Sequence, residues 1–245
     1  MSSRNKSTIE NKKLMVIPSA PLAANPMLPD VDSGTLRPIL FSTEMVKAIL
    51  DGRKTQTRRL VKFPKDFDGK NIYQNVPFGL KYSSNEFEGC VHRLYPKWQV
   101  GDILWVRETF LKHPIPIEGY KYKADYTDVQ LESISKTPLK WKPSLFMPKD
   151  ACRLWLKVTN IFAERLTDIS AEDCVKEGIE LIENEKSFGY KLYGNHSIGD
   201  MLGRKAVTGT EFESYQTLWE NINGKGSFDE NPFVWVIEFE RCVHP

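Results

Sequence analysis

Cysteine and histidine are scarce in this chain of 245 residues, and neither is grouped. Cys90, Cys152, Cys174 and Cys242 stand far apart with no C-x-x-C pair, and His92, His113, His196 and His244 are equally isolated. That scatter excludes the common zinc-knuckle spacings and any dense disulfide framework. The thiols read as core-type side chains in a reducing compartment. A dominant charge is lacking too. Lys+Arg 34 against Asp+Glu 32 leaves +2, so no global field draws the chain onto nucleic acid or an anionic membrane. Any polyanion site must be a local patch. No apolar run is long enough to span a bilayer, and Pro18, Pro21 and Pro26 break the N-terminal apolar stretch that a secretory leader would need intact. Internal repeats and low-complexity tracts are absent. These absences lead to the expectation of a cytoplasmic protein with no membrane partner, no bound metal and no cofactor; its protein partners are left open.

Hydrophobic residues make up 40% and aromatics 11%, enough for an ordinary buried core. Residues 1–35 are polar and then Pro/Ala-rich without periodicity, and are expected to form a flexible tail. In "RPILFSTEMVKAILDG", a strand over Ile39–Phe41 meets Ser42 as N-cap. Met45, Val46, Ile49 and Leu50 then form a helical stripe ending at Gly52. "VGDILWVRETF" alternates as a strand from Ile103 to Phe110, and "CRLWLKVTNIF" reads as another. "TDISAEDCVKEGI" carries Ser170 and Asp173 in capping-box-like spacing and closes on Gly178. In "GTEFESYQTLWENING", Thr210 and Glu213 cap a third helix with Phe212, Tyr215, Leu218, Trp219 and Ile222 as its buried stripe. "PFVWVIEFERC" is the strongest strand signal.

Long irregular connections at about 63–97, 112–150 and 180–209 replace the regular strand–helix alternation of a doubly wound fold. The expected fold is therefore α+β. It is a single domain over 36–245, a small mixed β-barrel with short helices packed outside and long loop insertions.

Several residues are candidates for chemistry. "GRKTQTRR" places Arg53, Lys54, Thr55, Thr57, Arg58 and Arg59 just past the first helix. It is either a solvated basic turn or a site where cations and hydroxyls meet phosphate or base edges. Glu108 shares a strand face with Leu104 and Val106, while Arg107 lies on the opposite face. A carboxylate so placed is paired with a cation, one from "GRKTQTRR" for example, or is held protonated. Glu177 falls in the last turn of the second helix, where the dipole disfavours it. It is either merely tolerated there or has another duty. Asn231 and Trp235 in the C-terminal loop and strand, with Trp141 and Ser144 in "KWKPSLFMP", fit either loop geometry and packing or a pocket that stacks and reads a base.

Together, "FSTEMVKAILDGRKTQTRR", "VGDILWVRETF", "LTDISAEDCVKEGI" and "NINGKGSFDENPFVWVIEF" resemble the ASCH family of the PUA-like superfamily, in the long form carried by phages and prophages. The resemblance runs from about Arg37 to Cys242. It implies a small β-barrel that binds RNA or a modified nucleoside, in the host cytoplasm if the chain is phage-encoded. A small bacterial member hydrolyses the amide of N4-acetylcytidine, and the resemblance places its lysine, threonine and glutamate on Lys54, Thr57 and Glu177. Thr57 would then attack the acyl carbon with Lys54 accepting its proton, and Glu177 would carry a proton to the leaving amine. Arg53, Thr55, Arg58, Arg59, Arg107, Glu108, Trp141, Ser144, Asn231 and Trp235 would line the binding site. The alternatives are a metal-independent ribonuclease and a non-catalytic phage morphogenesis protein.

Overall fold

A computed structural model describes residues 34–64, 72–76, 79–83, 91–112, 119–135, 140–184, 187–193 and 207–243. The expected tail over 1–35 lies outside these residues except for Gly34 and Thr35. The three expected insertions lie partly outside them. All described elements belong to one unit, Val31–Pro245.

The first elements are β1 (Leu36–Leu40), α1 (Thr43–Leu50) and β2 (Gln56–Leu60). β1 starts earlier than alternation suggests because Leu36 to Leu40 pair in parallel with β6 (Ile103–Arg107), reached after β3 (Ile72–Val76), β4 (Gly79–Ser83) and β5 (Val91–Leu94). The buried Asp102 carboxylate fixes that start: it accepts from the Thr35 and Gln99 N–H groups at 3.0 and 2.9 Å and from Arg37 Nε at 2.6 Å.

The expected strand over Ile103–Phe110 is interrupted. At Glu108 the backbone N–H turns to Met147 Sδ, 3.2 Å away, instead of a ladder partner. Pairing resumes as β7 (Phe110–Lys112) against β8 (Tyr120–Tyr122). The helix α2 (Asp128–Ser135) was not expected, its sequence having little amphipathic pattern. Next come β9 (Trp155–Arg165), α3 (Ala171–Lys176), β10 (Leu181–Asn184), β11 (Ser187–Lys191), β12 (Val207–Thr208), α4 (Glu211–Asn223) and β13 (Phe233–Cys242). The insertions thus carry strands of their own, in the small sheets β3-β4-β5, β7-β8 and β10-β11-β12.

The main sheet is mixed, in the order β1-β6-β9-β13-β2. β13 lies inside it, and Phe233 to Ile237 are buried on both faces. That explains the unbroken apolar run, since burial of each such side chain contributes about 1.5–3 kcal/mol. α1, α3 and α4 pack into the same core through Val46, Ile49, Cys174, Tyr215 and Trp219. The stripe of α4 is narrower than expected. Ile222 is exposed, and Phe212, at the edge of exposure, meets Phe228 edge-on at 5.3 Å. β1 and β2 are the two sheet edges, and no ladder joins them among the described residues. Among the described residues no helix is long and apolar enough to cross a membrane.

Candidate functional site

The basic segment is stitched to three elements before β2 begins. Lys54 N–H donates to Ala48 O of α1 at 3.0 Å, Thr55 N–H to Lys176 O of α3 at 2.9 Å, and Phe239 N–H of β13 to Thr55 O at 2.9 Å. Strand alternation therefore does not govern Lys54, whose side chain turns inward and is only 2% exposed. α3 starts on Ser170, whose hydroxyl accepts from Asp173 N–H, and ends on Glu177 followed by Gly178 at φ +92°.

Lys54 Nζ donates to Glu177 Oε2, to Glu177 O and to Gln56 O, each at 2.8 Å. The ammonium thus neutralises the carboxylate and caps the C-terminal carbonyl of α3, which removes the dipole penalty expected for an acidic residue there. Arg58 holds the other carboxylate oxygen, Nη1 to Glu177 Oε1 at 3.1 Å. Its Nε donates to Glu164 Oε1 at 2.7 Å, and Nη2 lies 3.5 Å from Asp173 Oδ2. Two cations and three carboxylates form one network, buried at Lys54, Arg58 and Glu177 and part-exposed at Glu164 and Asp173.

Burial pushes the Lys54 amine below its usual range. Glu177 opposes that shift, and the guanidinium charges of Arg59 and Arg58 add to it. Burial also works against the charge of Arg58, but Glu177 and Glu164 outweigh it and hold the group above its usual value. Cys174, in the same layer, is pushed up to about 12 by burial and is an inert core thiol.

A concavity of about 770 Å³ opens beside this network, between the unpaired edges of β1 and β2 and the flank of α4. Its volume is that of a small-molecule site. Thr57, Arg58 and Glu177 line it together with Trp98, Trp219 and Trp235. The Thr57 hydroxyl has no hydrogen bond among the described residues. Lys54 lies behind Glu177 and does not reach the lining. Arg59 spans the gap, donating from Nη2 to Leu40 O at 2.9 Å with its guanidinium 5.4 Å from the Phe41 ring centroid.

The structure therefore brings together Lys54, Thr57, Arg58, Arg59, Glu177 and Trp235. Arg53 is turned to a fastening role, donating to Gly178 O at 2.8 Å and Ile179 O at 3.2 Å. Thr55 is exposed and engaged through its backbone. The remaining expected residues lie apart from the concavity. Glu108 is paired by Arg153, Nε to Oε1 at 2.9 Å and Nη2 to Oε2 at 3.0 Å, and not by a cation from the basic segment. Arg107 lies over the Trp105 ring at 5.3 Å, and Trp141 meets Tyr126 edge-on at 5.5 Å. Ser144 opens a short 3₁₀ turn. Asn231, at φ +45°, accepts from Thr167 N–H at 3.0 Å.

Glu164, Asp173, Trp98 and Trp219 are not among the site residues expected from the sequence. Asp173 stands four residues before Glu177, so helical spacing places both carboxylates on one face. The aromatics of α4 read as core, which they also are. Trp98 sits among turn formers with no periodic signal. Among the described residues no three His, Cys, Asp or Glu side chains are grouped to hold a metal ion. Comparison with family models, with curated proteins and with solved structures finds no match to this chain.

Proposed function

We propose that the concavity between β1, β2 and α4 binds a nucleobase of RNA or of a modified nucleoside, in a domain of the ASCH type whose sheet curls toward a PUA-like barrel; the Arg59 contact to Leu40 between the two edge strands supports that curl. The observation that carries this reading is the placement of three indoles, two guanidinium groups and one carboxylate around a single hollow. Aromatic faces stack bases of any sequence, and a carboxylate whose oxygens already accept from Lys54 and Arg58 stays an acceptor for an amino or imino edge. Titration with N4-acetylcytidine and a short oligoribonucleotide, read by tryptophan fluorescence, tests it. Trp98→Ala weakens binding about 5- to 100-fold, the usual worth of one stacked base. Absence of quenching by both ligands overturns the reading.

A second reading, amide hydrolysis, is favoured by the 2.8 Å contact between Lys54 Nζ and Glu177 Oε2 and by a Thr57 that shares the lining with Glu177 and whose hydroxyl has no partner among the described residues. Proton transfer across that contact leaves a neutral amine and a carboxylic acid. For turnover Lys54, which does not reach the lining at rest, must swing to Thr57 and take its proton as Thr57 Oγ attacks the acyl carbon, and Glu177 protonates the departing amine. Lys54 is again an ammonium, Glu177 a carboxylate, and the acyl group is an ester on Thr57, which water hydrolyses by the same relay. Conversion of N4-acetylcytidine to cytidine, lost in Thr57→Val and in Lys54→Ala, is the expected result. No turnover by the wild-type chain removes hydrolysis and leaves the binding reading standing. Fragments released from a labelled oligoribonucleotide would instead assign RNA cleavage.

A further inference from the structure

Of the cations crowded between Arg53 and Arg59, three are neutralised. Arg53 lies 3.0 Å from Asp51 Oδ2. Lys54 and Arg58 share Glu177, and Arg58 also takes Glu164. Arg59 differs. Its guanidinium meets a backbone carbonyl and an aromatic ring, and no carboxylate is within ion-pair reach of it among the described residues.

Glu177 is the carboxylate whose field reaches Arg59, yet both its oxygens are already taken. Arg59 is part-buried, and the hydration it loses is not replaced by a counter-ion among the described residues, which draws it below its usual value. Arg59 also lines the concavity. Lys62 and Lys97 are exposed on the same lining, and neither has a carboxylate partner among the described residues. A planar guanidinium fork that shares a lining with two flexible ammonium groups is suited to phosphate oxygens.

We propose that Arg59, Lys62 and Lys97 form a phosphate subsite at the open edge of the concavity, so that its occupant is a nucleotide and not an uncharged nucleoside. This subsite depends on the base-binding reading only for the nucleotide as a whole; the anion site stands on its own geometry. Arg58 takes no part in it, being held by the acidic network beneath.

The full chain is titrated calorimetrically with cytidine, with cytidine monophosphate and with inorganic pyrophosphate, a probe that carries no base. Cytidine monophosphate binds about 10- to 100-fold more tightly than cytidine, the range supplied by charge-assisted hydrogen bonds. Arg59→Gln removes that difference, and Arg59→Lys, which keeps the charge but not the fork, restores part of it. The double variant Lys62→Gln/Lys97→Gln, altered at exposed positions, loses about 2- to 10-fold and decides the matter if Arg59→Gln does not fold. Pyrophosphate binds competitively with the monophosphate and weakens as salt rises. A dinucleoside monophosphate forms the last arm: weaker binding than the monophosphate assigns a terminal phosphate, and equal binding an internal diester. Equal affinity for cytidine and its monophosphate, unchanged in Arg59→Gln, overturns the subsite and spares the base pocket. Pyrophosphate binding that requires Arg59, without binding of either pyrimidine, upholds the subsite and removes the base pocket. If neither pyrimidine nor pyrophosphate binds, the subsite falls too.

Discussion

A Cβ placed on Gly178 would stand 2.8 Å from the Lys54 Cβ and the same distance from the Ala48 Cβ. The glycine is also at φ +92°, which side-chain-bearing residues rarely adopt. The end of α3 is thus pressed against the lysine, and α1 supports it from behind. Gly178→Ala meets both the backbone strain and the overlap. It should lose about 2–4 kcal/mol in urea unfolding, and a loss under 1 kcal/mol would show that the contact relaxes freely.

The Lys54–Glu177 pair is buried, with side-chain exposures of 0% and 3%. Breaking such a pair from one side strands a charge. Lys54→Met should cost about 3 kcal/mol, because Glu177 keeps Arg58. Glu177→Gln should cost about 3–5 kcal/mol, since it deprives two cations at once. The double variant Lys54→Met/Glu177→Leu should lose less than the sum of its parts. Strict additivity across the cycle would mean that the two groups do not interact.

At the far end of α1, Glu44 Oε2 lies 2.7 Å from Lys191 Nζ. Burial pushes Glu44 up, but the hydrogen bond and charge of Lys191, aided by Lys47 and Arg53, hold it below its ordinary 4.5. A depressed carboxylate contributes stability above pH 4.5 that disappears as pH falls through the folded value. Lys191 is opposed by burial yet held above 10.5 by Glu44 and Glu180, so its contribution disappears only as pH rises through that higher value. Glu44→Gln should therefore flatten the acid limb of the stability curve. The pair is half-exposed, so the change is about 0.2–1 kcal/mol. An acid limb identical to wild type in chemical denaturation would rule this out.

Glu108, 1% exposed, depends on Arg153, which also packs on the Tyr122 ring at 4.0 Å. Burial already raises Glu108 against the pull of Arg153. Arg153→Ala should cost about 3 kcal/mol near neutral pH. That loss should shrink toward pH 4.5, where the stranded carboxyl takes up a proton. Affinity for the proposed nucleotide should stay as in wild type because this pair is not on the concavity lining; a parallel fall in affinity would tie the two regions together.

Local patterning revealed the elements whose faces are unambiguous. Ser42, Ser170 and Thr210 cap the helices they were expected to cap, each accepting from the N–H three residues on. The apolar run of β13 likewise announced a doubly covered strand. What the sequence hid was non-local. Nothing near Glu108 points to Arg153, and nothing near Arg58 points to Glu164. The awkward position of Glu177 was readable as a local conflict, whereas its resolution by a lysine from another segment required the fold. Small strands in the insertions escaped notice because turn formers outnumber alternating residues there.

β2 has a single ladder partner in the sheet, and Gln56 pairs with Glu238 across nearly the whole domain. Loop-closure entropy must be met before such a pairing gains anything. The segment bearing Thr57, Arg58 and Arg59 therefore acquires its final orientation only once Phe233–Cys242 has emerged from the ribosome and docked. Until then the cations and their acidic counterparts remain parts of separate, unassembled stretches of chain, and ligand affinity should appear late in refolding, together with the slowest phase.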